Sequence, residues 1–337
     1  MDKDFDNLGE SPVAVASIEK PKPASEFLEP YCKTLGNGTQ DYLGIKTGLN
    51  DLDKKTLGLD GLIVLGGIAG GGKTSLALQL AYGACELGTP TIFYSLEMPR
   101  RAIFTKILNR LAEVRYSDIL LKGGQCLDET RKNEIPLGEG EGYYKFLSTQ
   151  DKENLKKAKA KLLKISEKFY LRSRESEEAD ISFKAVEREI NLVKTEHNNA
   201  EKVFVVIDHL QVFPVDRKDY KDQIDKEGFL IKSFKDISEK TGATIFLISQ
   251  KNKAGYNTAG VQTIKGSIDI IYLADVVMSL MNTEQKEDPT LNAEIARFGG
   301  GVLKKIDLNI EKNRYNAPSK IELDFNGEYS SFTERKD

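Results

Sequence analysis

The sequence predicts an α/β protein with a doubly wound, mostly parallel central sheet. From Ile45 onward, short apolar runs alternate with longer amphipathic stretches of helical periodicity. The runs at 61–66, 203–208 and 244–249 are almost continuously apolar, which is typical of strands buried on both faces of a parallel sheet. Strands that alternate with helices indicate crossover connections, and therefore a layered α/β fold.

The first half of the pattern runs from residue 61 to residue 172. Glycine bounds the apolar run at 61–66, which predicts a buried strand, and a glycine-rich turn follows it. Apolar residues spaced three and four apart then predict a helix over 74–87. The remaining elements predicted in this half are a strand at 91–96, a helix at 100–114, a loop at 122–142, a lysine-rich amphipathic helix at 152–168 and a strand at 169–172.

The second half ends in a different pattern. Residues 306–332 alternate polar and apolar side chains with a period of two. Turn residues interrupt this alternation at Asn316 and at Asn326 with Gly327, which predicts β-hairpins on the edge of the sheet. Before them the sequence predicts a helix at 181–195, a strand at 203–208, a helix at 220–240 and strands at 244–249 and 275–281.

Composition excludes several classes of protein. A chain of 337 residues with 39% hydrophobic residues is long and apolar enough to form a large folded domain. No apolar run approaches 18 residues and the acidic N-terminus lacks an apolar signal segment, so we expect a cytoplasmic protein without a membrane span. Three distant cysteines and two histidines predict neither a disulfide framework nor a structural zinc site.

Charge and the first residues predict the domain organisation. The net charge of −3 argues against a protein that coats nucleic acid with its whole surface, so any such contact is expected at a small local patch. Residues 1–42 are polar, carry Pro21, Pro23 and Pro30 and predict a flexible arm, with a short helix near 25–35 that docks on a neighbour. Residues 43–337 form the predicted folded domain.

Residues 67–74 read GIAGGGKT and fit the phosphate-binding pattern G-x-x-x-x-G-K-[ST] in full. The motif follows an apolar strand and opens a helix, so its backbone N–H groups and the helix N-terminus are expected to face a phosphate. Lys73 is expected to reach the β- and γ-phosphates and Thr74 to ligate Mg²⁺; the alternative is a plain glycine turn. The predicted nucleotide-binding residues are Gly67, Gly70, Gly71, Gly72, Lys73, Thr74 and Ser75.

Three polar residues follow the ends of other predicted strands. Asp208 ends an apolar strand, as an acid that anchors a metal should, although a strand-end Asp can also cap a turn. Glu97 follows the strand at 91–96 and is a candidate to orient or deprotonate water, the alternative being a helix N-terminal charge. Gln250 is a candidate hydrogen-bond partner of the γ-phosphate, or an ordinary polar strand end.

Taken in order, these motifs resemble the RecA-like ATPase domain of DnaB-type replicative helicases, a family of P-loop NTPases. The resemblance extends from about residue 45 to residue 332. The sequence pieces that carry it are TGLNDLD (47–53), GGGKT (70–74), FYSLEMP (93–99), VVIDHLQ (205–211), LISQ (247–250), GSIDIIYLADVVMSL (266–280) and KNRYNAPSKIELDFNGEYSSF (312–332).

The resemblance implies roles for individual residues. Glu97 is similar to the catalytic glutamate, Asp208 to the metal-anchoring acid and Gln250 to the γ-phosphate sensor. Lys312 and Arg314 are similar to a pair donated across a subunit interface to the neighbour's ATP; the alternative is an exposed hairpin charge cluster.

The resemblance also implies a hexameric ring that moves on single-stranded DNA during replication, with ATP and Mg²⁺ as cofactors. The residues expected to face the channel are Lys251, Lys253, Lys265 and Gly266, unless their loops are merely solvated. Loader or primase contacts are expected through the N-terminal arm, because 40 polar residues stand where the family has a helical domain.

Position 209 is another departure, since it holds His where the family usually has Tyr. The sequence gives His209 no catalytic role. Two other functions stay open: a RecA- or KaiC-like ATPase that mediates recombination or acts as a switch without unwinding, and a nucleotide-dependent scaffold that does not hydrolyse ATP. The scaffold is disfavoured because the chain retains Lys73, Thr74, Glu97, Asp208 and Gln250.

Overall fold

The computed structural model describes residues 23–36, 42–120, 147–175, 181–250, 267–283 and 303–335. It divides into two compact units, residues 1–41 and 42–337. The described part of the first unit contains one helix, α1 (Ser25–Gly36). The helices of the second unit are α2 (Asn50–Thr56), α3 (Lys73–Glu86), α4 (Arg100–Ala112), α5 (Tyr116–Leu120), α6 (Thr149–Ile165), α7 (Phe183–Glu196), α8 (Gln223–Thr241) and α9 (Ser267–Leu273).

The strands of the second unit form one sheet. They are β1 (Leu62–Gly67), β2 (Thr91–Ser95), β3 (Phe169–Ser173), β4 (Phe204–Asp208), β5 (Thr244–Gln250), β6 (Val276–Asn282), β7 (Leu303–Asn313), β8 (Ser319–Asn326) and β9 (Ser331–Glu334). Their order in the sheet is β3-β2-β4-β5-β1-β6-β7-β8-β9. The pairings from β3 to β6 are parallel and those from β6 to β9 are antiparallel. The predicted fold class, with its C-terminal hairpins, is confirmed.

Two apolar layers cover the sheet and explain why its parallel strands are apolar throughout. On β1, Ile63 and Leu65 pack on one face with α3, while Leu62 and Val64 pack on the other with α7 and α8. Successive side chains of a strand point to opposite faces, so a strand covered on both sides needs an apolar residue at every position. The antiparallel β7 instead alternates, burying Ile306, Leu308 and Ile310 on one side.

The observed elements lie within a few residues of the predicted ones. The structure adds three helices that the periodicity did not predict, α2, α5 and α9, each of five to seven residues. The loop predicted at 122–142 lies outside the described residues. No helix of the described ranges is long and apolar enough to cross a membrane.

Candidate functional site: a phosphate loop at the carboxyl edge of the sheet

The glycine-rich loop joins β1 to α3 in a conformation that needs glycine. Gly70 and Gly72 have φ angles of +71° and +85°, in the left-handed region that favours glycine. A Cβ on Gly72 would also stand 2.8 Å from the Phe332 ring. Gly72 is the N-cap of α3, so the first N–H groups of that helix are left without helical acceptors and face the loop.

Lys73 is buried at the start of α3 and bends back over the loop. Its ammonium donates to the backbone oxygens of Gly67 at 2.9 Å and Ile68 at 2.7 Å. Burial lowers the pKa of Lys73, and the nearby carboxylates of Asp208 and Glu97 partly restore it. The loop therefore holds a cation at the position where the sequence predicts contact with phosphate.

Asp208 ends β4 beside this loop and is only 1% exposed. Burial raises its pKa to about 6; the Thr74 hydroxyl, which donates a hydrogen bond to it, lowers the pKa, while Glu97 raises it further. Its Oδ2 atom is buried and has no hydrogen-bond partner among the described residues. An unpaired carboxylate oxygen beside a hydroxyl suits a hard divalent cation, so these residues fit Mg²⁺.

The protein offers few other metal ligands at this place. The described ranges contain no group of three or more His, Cys, Asp or Glu side chains that would hold an ion. Mg²⁺ is commonly held by one or two protein oxygens together with substrate phosphates and water. Thr74 and Asp208 therefore suit a metal ion that binds together with a nucleotide.

Glu97 lies two residues after β2 and Gln250 is the last residue of β5, and both are near His209. The His209 Nε2 atom lies 3.2 Å from the Gln250 Nε2 atom and 3.9 Å from the Glu97 Oε2 atom. Burial lowers the pKa of His209, and the Glu97 carboxylate opposes this effect. The Glu97 side chain is 57% exposed, so its carboxylate is open to water.

A cavity of about 460 Å³ brings the predicted groups together. Gly67 contributes through its backbone oxygen, which accepts from Lys73, rather than as part of the wall. The carboxyl ends of parallel strands share one edge of the sheet, which is why residues more than 150 positions apart meet here. The predicted residues in the wall are Gly70, Gly71, Gly72, Lys73, Thr74, Ser75, Glu97, Asp208 and Gln250.

Several wall residues were missed by sequence reasoning. Lys106 of α4 lies in the wall, and its ammonium is 3.4 Å from the Ser75 hydroxyl. Its position nine residues after Glu97 on a predicted helix was the available signal. The β8–β9 hairpin and the start of β7 supply four more wall residues, namely Lys304, Phe325, Gly327 and Ser330. The Phe325 ring stacks on Phe332 with centroids 4.4 Å apart.

Lys312 and Arg314 lie away from this cavity. Lys312 donates to the backbone oxygens of Ile271 at 2.7 Å and Ala274 at 2.6 Å, at the end of α9. Arg314 is paired with Asp275 at 2.7 Å and is about half exposed. Both are at the end of β7 that pairs with the start of β6, which is the amino edge of the parallel strands. Their role at a neighbour's site stays a prediction.

The DNA-binding residues of the sequence prediction, Lys251, Lys253, Lys265 and Gly266, lie outside the described residues. Gln250 is the last described residue before that segment, and α9 begins directly after it. The assignment of these residues to DNA therefore stays a prediction.

The fold and the loop define a RecA-like P-loop domain, and solved structures share that fold. A solved ATPase domain superposes with a TM-score of 0.70 at 16% identity, covering 94% of this chain and all of that one. A DnaB-like replicative helicase, solved in a study of its interactions with primase, superposes with a TM-score of 0.69 at 15% identity, covering 94% of this chain and 67% of that one.

Sequence comparison gives the more particular relationship. Residues 44–168 match the family model of the DnaB-like helicase C terminal domain. The replicative DNA helicase DnaB of Haemophilus influenzae is 26% identical over 297 residues, which is 86% of this chain and 55% of that protein. The resemblance of this chain to the C-terminal domain of DnaB-type helicases is confirmed, and the RecA- or KaiC-like alternative is not favoured. The chain spans about half the length of the curated relatives it matches.

Proposed function

We propose that this chain binds ATP with Mg²⁺, hydrolyses it and uses the energy to drive a ring-shaped DNA helicase along single-stranded DNA. The observation that carries the proposal is the cavity, which collects the loop, Lys73, Glu97, Asp208 and Gln250 at one edge of the sheet. Its relatives by sequence are named replicative DNA helicases.

Each group of the cavity has a task in this proposal. The loop N–H groups and the Lys73 ammonium, released from the oxygens of Gly67 and Ile68, bind the phosphates. Thr74 and Asp208 hold Mg²⁺, which when bound neutralises phosphate charge. Glu97, whose carboxylate is open to water, orients the attacking water and accepts its proton. Gln250 hydrogen-bonds the γ-phosphate and registers its loss.

The position of Lys312 and Arg314 supports a shared site in a homo-oligomer. Lys312 lies eight positions after Lys304 along β7, which corresponds to about 26 Å along the strand from the cavity wall. Neither side chain can therefore reach a nucleotide bound in the cavity of its own subunit unless the pairing of β7 with its neighbouring strands is broken. We therefore place the amino edge of one subunit against the cavity of the next in a closed ring, and we propose that this ring is a hexamer.

DNA and partner proteins complete the proposal. Lys251, Lys253, Lys265 and Gly266 follow the sensor and precede α9, so we assign them to the single-stranded DNA in the channel. Residues 1–42 are the arm to which we assign contacts with a loader or a primase. The solved DnaB-like helicase was studied with its primase, which supports looking for the same class of partner.

Hydrolysis and unwinding assays test the proposal. The rate of ATP hydrolysis is measured with and without single-stranded DNA, followed by strand displacement on a forked duplex. We expect hydrolysis that DNA stimulates, together with unwinding. Stimulation without unwinding would replace the helicase with a recombination mediator or switch. An absence of hydrolysis, with nucleotide binding intact, would leave only a scaffold.

Mixed oligomers test the shared site. Arg314→Ala and Glu97→Gln subunits are each expected to bind ATP and to turn over slowly when alone. When mixed, some interfaces combine the intact Glu97 of one variant with the intact Arg314 of the other, so part of the activity should return. A mixture that stays as slow as its components, in oligomers shown to exchange subunits, contradicts donation across the interface.

A further inference from the structure

His209 is a wall residue of the cavity to which the motifs assign no task. It is 5% exposed and immediately follows Asp208, at the start of the 3₁₀ turn Leu210–Val212. Its Nε2 atom lies between two groups of the proposed reaction, 3.2 Å from the amide nitrogen of Gln250 and 3.9 Å from the carboxylate of Glu97.

His209 is close enough to Gln250 to hydrogen-bond its side-chain amide. Within the described ranges, His209 is the side chain that hydrogen-bonds the Gln250 amide. The amide nitrogen of Gln250 can only donate, so the Nε2 atom of His209 accepts this hydrogen bond and the ring carries its proton on Nδ1. A long, flexible side chain at a strand end needs such a partner to keep one rotamer, because the lost freedom otherwise opposes the ordering.

The backbone that carries His209 is fixed independently of its ring. Two residues later, the Gln211 amide donates to the Ser249 hydroxyl at 2.9 Å, which ties the turn to β5. Lys226 of α8 donates to the Gln211 backbone oxygen at 3.1 Å. The ring can therefore be altered while the turn stays attached to the strand that carries Gln250.

We propose that His209 is a positioning residue that holds the Gln250 amide beside Glu97, so that the sensor and the water-activating group act on the same nucleotide in register. This inference rests on the proposed function, because it concerns the hydrolysis step. His209 touches neither phosphate nor water in this account and acts through Gln250. The position at which the sequence departs from the usual tyrosine is thus the link between two strand ends.

Kinetics of two variants test the inference. His209→Phe keeps a ring of similar size but removes the nitrogen, and is expected to lower kcat roughly tenfold with KM for ATP within about twofold of wild type, as the loss of one hydrogen bond implies. His209→Gln restores an amide at that place and should recover most of the rate. The matched control is His197→Phe, since His197 ends α7 beside Tyr170 near the amino end of β3.

A double-mutant cycle separates positioning from a general structural effect. In a Gln250→Ala background, His209→Phe should have little further effect on kcat, because its target is gone. Two effects that multiply independently overturn the inference. Equal kcat for wild type and His209→Phe also overturns it, whereas a wild type without ATP hydrolysis overturns the proposed function instead.

Crystal structures of the His209 variants test the position of the Gln250 side chain directly. A crystal structure of His209→Phe, or of His209→Gln if the phenylalanine variant does not fold, shows whether Gln250 leaves its position beside Glu97. We expect the Gln250 amide to turn away in the phenylalanine variant and to stay in the glutamine variant. An unchanged Gln250 rotamer in His209→Phe contradicts positioning by the imidazole, whatever the rate assays give.

Discussion

Asp208 and Asp275 are two aspartates with the same 1% exposure at opposite edges of one sheet. At the carboxyl edge, the Oδ2 atom of Asp208 is buried without a described hydrogen-bond partner. At the amino edge, Asp275 accepts from the Leu62 backbone at 2.8 Å and from Lys235 at 2.7 Å, and it pairs with Arg314 at 2.7 Å.

The difference shows what each edge is built for. A buried charge without partners opposes folding, whereas a buried charge with several well-placed partners fixes the geometry around it. The carboxyl edge keeps one carboxylate oxygen of Asp208 without a partner among the described residues, and the metal of the proposed function would satisfy it. The amino edge is already satisfied by the protein itself, and Asp275 there holds the backbone of β1 and the guanidinium of Arg314 in fixed places.

The largest expected effect is the loss of hydrolysis in Lys73→Ala. Removing the ammonium leaves the carboxyl edge without its buried cation, and we expect ATPase activity to fall at least about 1000-fold. The measurement is steady-state phosphate release, with a fluorescent ATP analogue to follow binding. Residual turnover above a few percent of wild type would mean that this edge does not act on phosphate.

At the amino edge, we expect Asp275→Asn to lower the free energy of unfolding. The substitution leaves Lys235 and Arg314 facing a neutral amide, and breaking one side of a buried pair typically costs about 3 kcal/mol or more of unfolding free energy. Urea denaturation measures the loss. Glu187→Gln, which removes an exposed pair with Lys240, is the control and should lose much less. Equal losses would erase the contrast between buried and exposed pairs.

Asp208→Asn should change stability in the opposite direction. Because the pKa of Asp208 rises to about 6 on folding, its contribution to stability falls as the pH rises through the interval from about 4 to about 6. A rise of about two in pKa corresponds to about 3 kcal/mol, so without nucleotide or metal the variant should exceed wild type by that order at pH 7.5. The advantage should vanish near pH 4, and hydrolysis should be lost throughout.

Denaturant midpoints at several pH values measure this difference. A variant that is less stable than wild type at pH 7.5 would show that Asp208 has partners in solution that the described residues do not supply. Asp208 and Asp275 would then be alike, and the contrast between the two edges would fail.

The smallest effect is expected from Lys304→Ala. Lys304 is an exposed lysine of β7 in the cavity wall, so water and salt screen its field. We expect KM for ATP to rise by at most about threefold with kcat unchanged. Lys305→Ala is the matched control, because the next residue of a strand points to the other face. A large fall in kcat for Lys304→Ala alone would give the antiparallel strands a direct part in the chemistry.

Local patterns were sufficient to predict much of this structure. The parallel strands are buried on both faces, so β1, β4 and β5 appear in the sequence as apolar runs. The phosphate loop is a single contiguous motif. Asp208 and Gln250 could be placed together because strand order alone brings the carboxyl ends of parallel strands to one edge.

Features that depend on distant contacts were not predictable. Asp275 appears in the sequence as the polar start of a strand, and its partners come from α8 and from the residue after β7. Phe325 alternates like any hairpin residue, and the registers of β7 on β6 and of β8 on β7 together bring it to the phosphate loop. Helices as short as α9 show too few turns for a helical period.

Strand β7 runs from the cavity at the carboxyl edge of the parallel strands to their amino edge. It pairs with β6 on one side and β8 on the other. Its two ends are separated by about 26 Å between Lys304 and Lys312, so a tilt of roughly 5° about the near end moves the far end by about 2 Å. That movement is comparable with the length of a hydrogen bond. In the ring proposed above, a contact between one subunit and its own nucleotide would therefore displace Lys312 and Arg314 at the far end of β7, with no hinge between the two places.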